Sequence, residues 1–496
     1  MAQVKQLIVQ QAGLTAALLL LLPGLRYFMP TGDLFYCKIT IVLAVVWLLL
    51  AILSAYLKTD TKFIKAVRYL TAAATAVFLA FPFLYLNLIL FTFFRWVWTV
   101  TLVVLLALFG VVLRFSRQRL VPLLIEAFLL MLVGMVCFWW NFTMMNGGAF
   151  DPQTAPSGVK AMFSVAELQR AGTIGEAHPY AMAYDEQNDV LIASFKDDWG
   201  AVFGRNDNKR RNFLALRKTE DLAAEPSFLF FGSSQQPENL ALHPEEKIGW
   251  VNVLDVGKRT FHIGAFSYAD NRLSMIRMEQ LPEEPNAVFY DDARKRLLVV
   301  GIEMELLELD SETLQVRTIR RMTSDMEPQV KGLGAIWRQE FIILMAMFES
   351  RSNQLFIATL GQYTHALSLN DFHDRRADTY PLVVCLAFDP VRGKIAATQP
   401  IQKRIAIIDV ATMKVEKTID TGYAVRPIAF LKQGEWLLTG GYTGNGTMIF
   451  DRHSGRMIRR FALGRLQRNA IATSDGERAF IATGWGVFSV EVNTVR

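Results

Sequence analysis

The chain has 496 residues, a positive mean hydropathy and a formal charge of +6, which leaves room for two or three domains and points to a membrane portion. Its basic residues are interleaved with acids and form no run, so there is no case for a nucleic-acid partner. Three cysteines without a CxxC, CxxCH or His/Cys metal spacing exclude a disulfide framework, a structural zinc site and a covalent haem.

Residues 1–144 read as a transmembrane domain of about five helices, over 7–28, 36–57, 68–94, 96–114 and 119–141. Each run is long enough to cross a hydrocarbon core that takes ~20 residues. The first lacks a basic flank and a small-residue cleavage site, so it is expected to be retained. Lysine and arginine placement sets the orientation. With the N-terminus inside, the inner loops hold Lys5, Lys58, Lys62, Lys65, Arg68, Arg114, Arg117 and Arg119, against Arg26, Lys38 and Arg95 outside. An odd number of spans then puts everything after Asn141 in the periplasm or outside the cell, with the protein in a bacterial cytoplasmic membrane.

All six histidines fall after the spans, which argues against haem held by paired imidazoles. Glu126 is the one acid well inside a span, at a depth near that of Arg114. A carboxylate there is costly unless neutral or paired. It serves either as an ion or proton site or, by preference, as a helix-packing pair.

A Gly/Pro-rich linker, 145–158, precedes a repeat that fills 159–496. The clearest unit is VVCLAFDPVRGKIAATQPIQKRIAIIDVATMKVEKTIDTG, 383–422, followed by a second copy at 426–464. Each reads as four short strands, the third closing on Asp-x-x-Thr or its equivalent. Aligning the turn after the first strand gives Asp185, His243, Asp291, Glu349, Asp389, Gln433 and Asp475. Seven units of about 42 residues, with insertions in the early ones, predict an all-β seven-bladed propeller. The last unit supplies only three strands, NAIATSD, RAFIATG and VFSVEV. The strand-like stretch KAMFSVAELQRAGTI, 160–174, is expected to complete it, closing the last blade with a strand from the start of the domain.

The stretch RIAIIDVATMKVEKTIDTG, followed by RPIAFLKQGEWLLTGG, resembles the repeat of YVTN-type β-propeller proteins. The resemblance is carried by units five to seven and touches none of the helices. It implies an exported or surface protein and does not imply a particular activity. WD40 hallmarks and the tryptophan-docking pattern of quinoprotein propellers are missing, so no cofactor is implied.

Two insertions should rise from one rim. Residues 196–211, KDDWGAVFGRNDNKRR, join the second and third strands of blade one, and 323–339 join blade three to blade four. The first gathers Asp197, Asp198, Trp199, Arg205, Lys209, Arg210 and Arg211. An aromatic among mixed charges could dock a protein or an anionic glycan or lipid head group; a solvated loop is the plainer reading. His178, Gln236, Glu284, Arg426 and Arg468 should ring the mouth of the central channel. They make a poor metal shell, and a solvated polar ring is preferred.

The expected protein is a membrane-anchored extracytoplasmic propeller that binds a protein or polymer as a scaffold within a larger membrane complex. A propeller hydrolase or lyase with a metal at the mouth, and a sensor or transport component using Glu126, are the alternatives.

Overall fold

The computed structural model describes residues 156–171, 179–196, 212–322, 343–359, 361–380, 382–400, 402–422, 425–441, 446–464 and 466–492. All belong to one compact unit, Gly147–Arg496. The five predicted spans, with Arg114 and Glu126, lie outside the described residues. Among those described, no helix is long and apolar enough to cross a membrane.

Seven four-stranded antiparallel sheets form a seven-bladed β-propeller. The innermost strands are Pro179–Asp185, Gln235–His243, Pro285–Asp291, Ile343–Glu349, Cys385–Asp389, Val425–Leu431 and Asn469–Ala472. Each touches the next, and the seventh touches the first, so the ring is closed.

Periodicity explains why strands of one blade read so differently. The second strands, such as VLIASF at Val190–Phe195 and RLLVVG at Arg296–Gly301, are buried on both faces and are nearly continuous apolar runs. Their alternate residues serve opposite neighbours: Leu298 and Val300 pack toward blade four, Leu297 and Val299 toward blade two. One apolar cluster fills each of the seven blade junctions. The fourth strands are more exposed in most blades, as in Val316–Arg321, which is exposed along almost its whole length.

The acids of the repeat cap its hairpin turns. Asp389 Oδ1 accepts from the amides of Val391 (3.0 Å) and Arg392 (3.2 Å). In the Asp-x-x-Thr turns, Asp409 Oδ1 accepts from the Thr412 amide and hydroxyl at 2.7 Å each. We call the rim carrying these turns the lower face.

The first-turn alignment holds in five blades and needs correction in two. The residue that pairs across the turn is Leu431, opposite Trp436, in blade six and Thr473, opposite Arg478, in blade seven. Gln433 and Asp475 each lie two residues later, inside the turn, because a polar turn residue draws the alignment past the end of the strand.

Blade seven is completed as expected. Val159–Ser164 pairs antiparallel with the third strand Gly486–Glu491, and the order runs from this strand inward to Asn469–Ala472. The strand ends at Ser164, however, and Val165–Ala171 is a helix. A reciprocal cap starts it: Ser164 donates amide and hydroxyl to Glu167 (2.8 Å each), and the Glu167 amide donates to Ser164 Oγ at 3.3 Å. Residues 172–174 lie outside the described residues.

Candidate functional site

The upper face, where the innermost strands begin, is the candidate site. In five of the seven blades the innermost strand carries an irregular register in its first residues, between Pro179/Met182, Pro237/Leu240, Pro285/Ala287, Ile343/Met345 and Val425/Ile428. Proline cannot donate to the ladder, which is why it gathers at such positions. A bulge turns its extra residues out of the pleat. The residues so released are Tyr180 in blade one, Glu238 and Asn239 in blade two, Asn286 in blade three and Arg426 in blade six.

Polar side chains on the second strands hold these openings in shape. The fifth residue of that strand is Ser194, Asn252 or Thr398 in blades one, two and five. Ser194 Oγ accepts from the Ala181 amide (3.0 Å) and donates to the Glu238 carbonyl of the next blade (2.6 Å). Thr398 does the same between the Cys385 amide (3.1 Å) and the Arg426 carbonyl (2.9 Å). Asn252 accepts from the Asn239 amide at 2.7 Å and donates to Glu238 Oε2 at 3.1 Å. In blade six Gly440 takes this place, where the Gln467 side chain leaves no room for a Cβ.

A charged cluster follows from this scaffold. Lys196 Nζ donates to Glu238 Oε1 at 2.5 Å with both side chains about nine-tenths buried, and stands 3.8 Å from the centre of the Tyr180 ring. Arg468 lies 5.6 Å from the same ring. The charge of Glu238 and then burial push the Tyr180 hydroxyl up, against the opposing pull of Lys196, Arg468 and Arg426. Cys385, from blade five, points its Sγ at the Arg468 carbonyl of blade seven, 3.7 Å away. This contact links blade five to the start of blade seven. Burial raises the Cys385 thiol, with Arg426 opposing, so the group stays protonated near neutral pH and is a poor nucleophile.

Of the mouth residues predicted from the sequence, four are described. Gln236 is buried in the innermost strand of blade two, opposite Leu254, and Glu284 immediately precedes that of blade three, its carbonyl accepting from the Ile302 amide at 2.8 Å. Arg426 and Arg468 come together around Tyr180 and Cys385. His178 lies outside the described residues, as do Asp197, Asp198, Trp199, Arg205, Lys209, Arg210 and Arg211. The flanks of that insertion, Phe195 and Phe213, are the ends of the second and third strands of blade one, as expected. Likewise 323–342 connects the outer strand Val316–Arg321 to Ile343–Glu349. In a four-stranded meander the strand ends that flank these connections, Phe195, Phe213, Arg321 and Ile343, lie on the upper face.

Tyr180, Lys196, Glu238 and Cys385 are not among the site residues expected from the sequence. Proline at or beside the bulge in PYA, PEN, PNA and RPI was the available signal for most of the site. Among the described residues, no group of three or more His, Cys, Asp or Glu could hold a metal. The chain matches no family model and no curated protein.

Proposed function

We propose that this protein is an extracytoplasmic β-propeller, held at a bacterial cytoplasmic membrane by its N-terminal spans, whose upper face docks a partner in a membrane complex. The apolar runs and lysine/arginine bias of residues 1–144 support the membrane placement, and the YVTN-like repeat of blades five to seven supports export. The observation that carries the docking reading is the mouth cluster. Blades one, two, five, six and seven contribute Tyr180, Lys196, Glu238, Cys385, Arg426 and Arg468 to one cluster where the innermost strands begin. Its lysine is tied to a buried carboxylate and its thiol is held neutral, so these groups suit recognition better than nucleophilic catalysis.

The test is purification of the full chain from its host in mild detergent, with mass spectrometry of the bound proteins. Wild type is compared with a variant in which a short Gly/Ser linker replaces 197–211. A stoichiometric membrane partner that is lost from the variant is the expected outcome. A protein that emerges alone in both preparations would remove the docking reading.

A further inference from the structure

The lower rim of blades five and six differs chemically from the rest of that face. We propose that this edge rests on the anionic headgroup surface of the membrane, with Val391, Met457 and Ile458 among the headgroups and basic side chains on the lipid phosphates. This rests on the membrane placement proposed above.

The exposed apolar side chains are the first observation. Val391, in the turn after the innermost strand of blade five, is 80% exposed. Met457 and Ile458, where the outer strand of blade six leaves the lower face, are also exposed. A bulge releases Ile458: Ile449 pairs with Arg459 and Phe450 with Met457, which leaves it unmatched. The two places belong to one strip along the junction of the blades. Lys417 of blade five donates to the His453 carbonyl of blade six. Arg392, next to Val391, stands so close to Gly434 of blade six that a Cβ there would lie 2.7 Å from its Nη1. Apolar side chains that protrude singly among cations suit a headgroup layer, whereas a protein partner buries a contiguous apolar centre.

Charge is the second. The acids of the strip are engaged: Asp389 with Arg392 (3.4 Å), Asp409 and Glu416 with Lys394 (2.7 Å each), and Glu435 with Lys432 (3.5 Å). Asp451 accepts from the Ser454 amide (2.6 Å) and hydroxyl (2.7 Å). Lys414, Lys417 and Arg456 have no ion pair among the described residues.

Third, Arg452 is nine-tenths buried and its Nε has no hydrogen-bond partner. Its guanidinium has one polar contact among the described residues, His453 Nε2 at 3.3 Å. A buried cation without a counter-charge is costly, and a lipid phosphate at this rim would supply one.

Elsewhere the same face has the opposite sign. At the lower turns of blades one and two, Glu186, Glu220, Asp221, Glu225, Glu245 and Glu246 are exposed, and an anionic surface repels them. Contact is therefore confined to blades five and six. The strand that closes blade seven begins at Val159 on the lower face, so a tether ahead of it leaves from that face.

The experiment reconstitutes the full-length protein in nanodiscs of phosphatidylcholine, with and without phosphatidylglycerol. Photoreactive benzoylphenylalanine replaces Val391, Ile458, Ala223 or Lys258 in turn, and mass spectrometry measures lipid adducts after irradiation. Ala223 is exposed at the lower face of blade one and Lys258 at the upper face of blade two. Adducts at 391 and 458 should exceed those at 223 and 258 at least fivefold, and should fall toward them without phosphatidylglycerol. Each cation near an anionic surface contributes about fivefold, so Lys414→Gln, Lys417→Gln and Arg456→Gln together should lower the 391 adduct at least tenfold. Arg452→Gln should lower it about fivefold. Lys218→Gln, Lys247→Gln and Arg272→Gln together, the same charge change at blades one and two, should lower it less than twofold. Melting temperatures of all variants establish that the fold is kept.

Equal lipid adducts at all four positions, adducts indifferent to phosphatidylglycerol, or equal losses for the two triple variants would each overturn the assignment. So would adducts at 391 to a second copy of the chain in place of lipid. A chain that inserts in the discs yet gives no lipid adduct at 391 removes only this contact. A chain that fails to insert removes the membrane placement with it.

Discussion

Blades six and seven have the same four-stranded order, but their outer strands are held in different ways. In blade six the outer strand Met457–Ala462 continues from the third strand through a short turn, with Phe450 opposite Met457. In blade seven the outer strand is Val159–Ser164, and its residue Ser164 pairs with Gly486, 322 positions later in the chain. Closing the longer loop costs more entropy, growing as the logarithm of its length, which between these two separations comes to about 3 kcal/mol. The closing strand buries more apolar side chains than the outer strand of blade six, in which Phe461 alone is buried. Met162 and Phe163 are 1% and 0% exposed, whereas Met457 and Ile458 are 45% and 38% exposed. Burying two such side chains contributes ~1.5–3 kcal/mol each, enough to offset the loop. An outer strand tethered by a hairpin can thus be a polar edge, and one that arrives from far away must be part of the core.

Changes that abolish or sharpen this contrast follow in order of expected size. Phe163→Ala should destabilise the propeller by ~3–5 kcal/mol, through loss of its edge-to-face contact with Phe195 (6.2 Å) and the cavity left behind. Ile319→Ala, in the outer strand of blade three and 53% exposed, should cost no more than ~0.5 kcal/mol. Denaturant melts of the full chain followed by tryptophan fluorescence compare the two, and equal losses would refute the distinction.

Next comes the cation that secures the closing strand. Arg217 of blade one donates to the Met162 carbonyl, to Glu167 Oε1 (2.7 Å each) and to the Ala224 carbonyl (2.8 Å), with its side chain 4% exposed. Replacing it by Met leaves Glu167 and two carbonyls short of a donor, at a cost of about 3 kcal/mol. In the Arg217→Met background, Glu167→Gln should cost less than it does in wild type. Additive losses in that cycle would show that the two side chains are uncoupled.

The smallest effect concerns pH in the hairpin-tethered blades. Asp310 is held down to about 2 by the Thr313 amide and hydroxyl, and Asp409 to about 2 by Lys394 and Thr412. Both lie below the ordinary value of 3.8, so their contribution is full above pH 4 and is lost as pH falls through 2. The melting temperature should fall over that window, and more gently in Asp409→Asn. A fall completed above pH 5 would assign acid sensitivity to other groups.

The repeat was legible because its blades obey two simple rules. Strands buried on both faces write continuous apolar runs, and capped turns write Asp at a fixed spacing. The completing strand was legible for the same reason: AMFS is apolar where solvent-facing outer strands are not. The helix after it was misread although Ser164 and Glu167 spell a capping box, because the apolar residues of VAELQRA also suit a strand. The site was only partly legible. Arg426 and Arg468 stand at predictable strand starts, but Glu238, Lys196 and Cys385 reach the same recess from other blades. Their proximity is set by bulges and by the diameter of the ring, which no local spacing encodes.

The point at which the chain joins the ring has a mechanical consequence. Val159 pairs with Val490, beside the Arg478–Glu491 pair at the lower face, while Ser164 is opposite Gly486 at the upper one. A pull on the preceding linker along the strand axis would therefore strain all five of these pairs together, in shear, rather than peel them one by one. The recess around Tyr180 lies at the far ends of other strands, away from that line of force. The closing strand can thus take load from the lower face while the upper face keeps its shape.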